Sequence, residues 1–123
     1  MMTPDDIRKM VLSGPASGPG FDVLRAQLAA DTKVDEIGQG HLPVREALAT
    51  FTLRERTAAR AGRPVDGLGE LLSQLSTMDA KEEILLFHFG TASHLSTVFV
   101  HEASRRMVGC ISAPRREASG EGQ

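Results

Sequence analysis

Two segments near the C-terminus constrain this chain more than anything else in it. Glu83 to Phe89 reads Glu-Ile-Leu-Leu-Phe-His-Phe, and Leu95 to His101 reads Leu-Ser-Thr-Val-Phe-Val-His. Both are rich in β-branched and aromatic residues, and the run Gly90 to His94 between them is made of turn formers. Arg106 to Ser112 has the same character. Three strands in an antiparallel meander are expected, with turns near Ala92-Ser93 and Ala103-Ser104 and an end at Ala113-Pro114. A sheet with one wet face alternates apolar and polar residues. Here Leu85, Phe87 and Phe89 fill one face of the first strand, and Ile84 and Leu86 fill the other. Phe99 opposes Val98 and Val100 in the same way. Both faces therefore need cover. Helices can cover one of them. The other needs the N-terminal arm, a ligand or another copy of the sheet.

The helices precede the strands. Thr3 to Leu12 reads as a short helix capped by Thr3, with Pro4 at its first position and Asp5 and Asp6 at the positive end of its dipole. Gly14 to Gly20 is a breaker run. Residues 1–20 are thus read as a helical arm and its loop, either mobile or docked on another subunit. Phe21 to Ala30 predicts a second helix. Asp31 to Ile37 is ambiguous, with Val34 and Ile37 suited to a short extended piece, and Gly38-Gln39-Gly40 then forces a turn. Pro43 to Ala61 is helical with its buried side at Val44, Ala47, Leu48, Phe51 and Ala58. Pro64 to Met78 repeats Val65, Leu68, Leu71, Leu72, Leu75 and Met78 at steps of three and four. With about two residues between them, these last two form a helical hairpin. Residues 21–114 make one α+β domain, with helices packed on a three-stranded meander and one short extra strand as an option. Arg115 to Gln123 reads as a disordered tail. A helical start followed by a meander is similar in element order to the cone-shaped folds of the nuclear transport factor two family. That resemblance implies a small-molecule pocket and carries over no residue.

Composition excludes more than it selects. The 123 residues carry a net charge of −2, no Trp, no Tyr and five Phe. Base stacking, carbohydrate stacking and interfacial membrane anchoring all lean on aromatic rings, so each is disfavoured. The opening Met-Met-Thr-Pro-Asp-Asp lacks the basic and apolar regions of a secretory signal, and no run of about 18 apolar residues suggests a membrane span. One cysteine forms no internal disulfide. A cytoplasmic location with a reduced thiol is expected. Eleven Arg against three Lys, with abundant Ala, suggest a GC-rich, bacterial source.

The candidate chemistry is thin. His88, His94 and His101 lie close in sequence, and Glu102 follows. On strands they do not converge. His88 pairs near Ser96 on the Ile84/Leu86 face, His94 is in the loop, and His101 aligns with Thr97 and Phe99. A zinc site needs three or four ligands converging on one ion at about 2.0–2.3 Å, so no metal and no cofactor is expected. Cys110 sits on an apolar strand, facing Thr97, and reads as a buried, inert thiol. Gly38-Gln39-Gly40 lacks the rest of a dinucleotide fingerprint. Arg54, Arg56, Arg60 and Arg63 give one helix a basic side, but the net charge and missing aromatics make nucleic acid an unlikely partner.

Two functions remain. The first is a small non-enzymatic interaction or adaptor protein that forms a homodimer or binds a protein partner through an apolar sheet face. The second is a small-molecule pocket for an apolar ligand. Phe87, Phe89, Val98, Phe99, Val100 and Met107 would form the interface or pocket, with His88, His101 and Glu102 as the polar groups. The first is preferred because no catalytic constellation is present.

Overall fold

The computed structural model describes residues 1–14, 16–30 and 32–115. The element order is α1 (Pro4–Ser13), α2 (Pro19–Ala29), β1 (Asp35–Pro43), α3 (Val44–Ala61), α4 (Leu68–Leu75), β2 (Glu83–Gly90), β3 (His94–His101) and β4 (Met107–Pro114). The four strands form one antiparallel sheet in the order β1-β2-β3-β4. The class is α+β, and the optional extra strand is present as β1.

Both sheet faces are covered by the chain's own helices. On one face α3 and α4 bury Val44, Ala47, Phe51, Leu68, Leu71 and Leu75 against Ile84, Leu86, Phe99 and Ile111. On the other, α1 and α2 bury Ile7, Val11, Phe21 and Leu24 against Phe87, Phe89, Val98, Val100 and Cys110. The two apolar parities of β2 and β3 thus serve two separate cores. The N-terminal helix is the missing cover. A Thr3 capping box with Asp6 starts it. Polar side chains then tie it down: Arg8 reaches the Val34 carbonyl and Glu36, and Arg25 Nε donates to the Val11 carbonyl at 2.8 Å.

Three expectations are corrected. Gly38-Gln39-Gly40 does not turn; it runs through the middle of β1. Glycines weaken a strand but do not forbid one, and pairing with β2 from Asp35 to Pro43 supplies the local stability. The Pro64–Met78 helix is shorter, because Pro64 to Gly67 is extended. Asp66 forms an antiparallel bridge with Ser112, with N–H···O distances of 2.8 and 2.9 Å. Gly67 then enters α4 at φ 88°, a conformation suited to glycine. A Cβ there, or at Gly20, would overlap the Cys110 carbonyl. The link between α3 and α4 is therefore six residues rather than two. Finally, the pairing is shifted by one residue: His88 faces Thr97, and Cys110 faces Val98.

The expected tail falls on residues 116–123, outside the described residues. No helix among the described residues is long and apolar enough to cross a membrane.

Candidate functional site, an arginine-rimmed groove

The early turn into the Pro64–Gly67 segment leaves α4 only eight residues long, against eighteen for α3. The C-terminal half of α3, from Arg54 to Ala61, faces the Pro64–Val65 segment and the end of the sheet across open space. Under it lies a half-open groove of about 540 Å³, lined by Arg54, Thr57, Ala58, Val65, Leu95 and Ala113, with Arg63 and Arg115 also on its wall. Leu95 and Ala113 are direct neighbours across β3 and β4, so register places them side by side as a floor. A smaller recess of about 180 Å³ shares Arg54, Val65, Leu95 and Ala113 with the groove. Its lining continues inward through Ile37, Phe51, His88 and Thr97.

The electrostatics are one-sided. Among the described residues, neither lining contains a carboxylate. Arg54, Arg63 and Arg115 belong to none of the ion pairs formed among the described residues. Arg115 is held in place by donating from Nη1 to the Thr91 carbonyl at 2.7 Å. At the inner end, His88 is half-buried and its Nδ1 lies 2.8 Å from Thr97 Oγ1. Burial holds its imidazole below the ordinary value, so the ring is neutral near pH 7. The positive charge of the site therefore comes from guanidinium groups. These match the geometry of a carboxylate or phosphate in a way a point charge does not.

The residues nominated from sequence are dispersed. Phe87, Phe89, Val98 and Val100 lie under α1 and α2, where Met107 packs partly buried beside them. Phe99 is on the opposite face, edge-on to Phe51 with ring centroids 5.0 Å apart. The six do not form one surface. His88 and His101 share a face, but their cross-strand positions, Thr97 and Ile84, place them four residues apart along the strands. That is about 13 Å. His101 joins the β3–β4 turn, with Nδ1 2.6 Å from Ser104 Oγ and Nε2 3.2 Å from Glu82 Oε2. The latter pair is close but not aligned as a hydrogen bond. Glu102 is exposed in the same turn. His94 contacts Gln27 Nε2 and Ser93 Oγ at 3.0 and 2.8 Å. Among the described residues no group of three or more His, Cys, Asp or Glu is arranged to hold a metal ion. Cys110 is buried, and burial pushes its thiol up to about 12.

Of His88, His101 and Glu102, the groups nominated from sequence, His88 reaches this site, in the lining of the inner recess. The basic side of α3 divides: Arg54 and Arg63 belong to the groove, while Arg56 and Arg60 do not line it. Leu95, Ala113 and Arg115 were missed. The signal for them is the β3–β4 register, which a one-residue error in turn placement conceals. Comparison with protein-family models, curated proteins and solved structures finds no match for this chain.

Proposed function

We propose that this protein binds a small amphipathic anion, a carboxylate or phosphate head on an apolar body, in the groove beneath α3, and does so without turnover. The observation that carries this reading is the pairing of three arginines with an apolar floor in a cleft that holds no carboxylate among the described residues. Arg54 and Arg63 take the head, while Val65, Leu95 and Ala113 take the body. His88, neutral and bonded to Thr97, adds a polar end to the inner recess. Thr97 Oγ1 is within hydrogen-bond reach of His88, but among the described residues no third group bonds the other nitrogen of that ring to orient it, which favours binding over catalysis. Within this reading the protein is bacterial and cytoplasmic. The support is the arginine-rich composition and a single buried thiol, suited to a reducing compartment.

The test is a calorimetric and NMR titration with octanoate and phenylphosphate, using octanol as the uncharged control. The expected result is saturable binding of an anion that octanol does not match, with shifts centred on Leu95, Ala113 and His88. Arg54→Ala and Arg63→Ala each weaken it by about tenfold, the cost of one charged hydrogen bond. Equal binding of octanol, or shifts centred elsewhere, refutes the reading.

A further inference from the structure

The inner recess of the groove ends on one uncommitted polar group. His88 stands on β2 between its two cross-strand neighbours, Gly38 on β1 and Thr97 on β3. On one side its Nδ1 is 2.8 Å from Thr97 Oγ1. On the other its Cδ2 lies 3.6 Å from the position a Cβ would take on Gly38. Nδ1 and Cδ2 are the two ring atoms bonded to Cγ. With one turned to each neighbouring strand, the ring stands up from the sheet. Its far edge, Cε1 and Nε2, points into the recess that His88 lines. Gly38 has no side chain to cover the Nε2 side of the ring.

Nε2 has no hydrogen-bond partner among the described residues, and unlike His101 Nε2 it is not sealed from solvent. The other polar side chains of the recess are committed. Thr97 Oγ1 is bonded to His88, and Ser96 Oγ is bonded to Ser112 Oγ on the α2 side of the sheet. Arg54 is shared with the outer groove, where the charged head sits. The floor residue Leu95 pairs with Gly90, and His88 is two residues further along β2. The ring is therefore about 7 Å deeper along the sheet than the floor.

This placement bears on what the far end of a ligand must be. An apolar chain end in the recess, of about 180 Å³, strips water from Nε2 and returns no hydrogen bond, which is a costly way to bury a polar group. A hydroxyl replaces the lost bond. It donates as well as accepts, so it fits Nε2 in either tautomer of the neutral ring, whereas a ketone only accepts. We propose that His88 selects, among amphipathic anions, a chain whose far end carries a hydroxyl, bonded to Nε2 while the arginines hold the head. The inference rests on the anion-binding reading of the groove and adds the ligand's second polar group.

Calorimetry with octanoate and ω-hydroxyoctanoate tests it. The wild type should prefer the hydroxylated chain by about fivefold, the worth of one uncharged hydrogen bond. His88→Leu should still bind octanoate and should lose that preference. Nitrogen-15 NMR of the wild-type imidazole gives a second measurement, which carries the test if His88→Leu does not fold. The Nε2 signal of His88 should move with ω-hydroxyoctanoate well beyond its response to octanoate. If octanoate binds but the hydroxyl brings no gain, the role of His88 is overturned and the groove reading stands. The same follows if the gain survives in folded His88→Leu, or if Nε2 responds alike to both ligands. If neither ligand binds, the groove reading itself fails, and this inference fails with it.

Discussion

Cys110 shows how one residue's setting decides its chemistry. Its side chain lies between β4 and the α1/α2 layer, and burial raises its pKa from 9.0 to about 12. A thiol held protonated in the folded state but free to ionise when unfolded stabilises the fold fully below pH 9, and this contribution is lost as pH rises toward 12. Because there is no Tyr, few other groups titrate in that range. The unfolding free energy should fall by up to about 1.4 kcal/mol per pH unit above pH 9. Chemical denaturation of the wild type and of Cys110→Ala measures this: the variant loses stability at neutral pH but should lack most of the alkaline slope. The folded wild type should also react with a neutral thiol reagent only at its opening rate. His88 gives the opposite sign. Its folded pKa lies below the ordinary 6.5, so as pH falls through 6.5 the unfolded chain takes up the proton first and stability declines. An NMR titration should place its midpoint below 6.5, and bound octanoate should move that midpoint upward by favouring the imidazolium.

At the scale of elements, legibility follows the strength of the local pattern. β2, β3 and β4 carry dense apolar runs between turn formers, and they stand within a residue or two of where the sequence puts them. So do α1, with Thr3 as its cap, and α3. β1 was legible only at its start, as an optional extended piece near Val34 and Ile37; Gly38 and Gly40 have no side chains to show an alternation, and long-range pairing with β2 carries the strand on to Pro43. The false first turn of the Pro64–Met78 helix has a related cause. Val65 fits the helical period, but the Asp66–Ser112 bridge takes the segment's backbone, and no local signal reports a bridge to a partner 46 residues away. The groove shared this fate, since its arginines were visible as a stripe while its floor depends on register. Cover by α1 was legible as a need but not as a solution. The role of α1 makes a clear prediction. Ile7 is fully buried against the sheet. Ile7→Ala should cost about 2–5 kcal/mol, while Thr3→Ala, which removes only the cap, should cost about 1 kcal/mol. Denaturant midpoints for the two variants measure the difference. Similar small losses in both would mean that α1 contributes little cover.

The whole molecule is two hydrophobic cores with one sheet between them. Neighbouring residues of β3 enter opposite layers: Val98 packs with α1 and α2, and Phe99 packs with α3 and α4. Neither layer can leave without exposing a face that reads apolar along most of β2 and β3. The buried chain Ser96–Ser112–Gly20, with Oγ distances of 2.7 and 3.1 Å, adds a polar tie from the sheet to α2. Coupling through a shared backbone should make the fold one cooperative unit, and hydrogen exchange can test this residue by residue. Phe99→Ala removes a ring on the α3/α4 side and should cost about 3–5 kcal/mol. If the layers are coupled, this variant should speed exchange in α1 and α2 by the same factor as in α3 and α4, although the altered residue touches neither N-terminal helix. If α1 and α2 keep their wild-type protection while α3 and α4 lose theirs, the two cores are separate units that merely share a sheet.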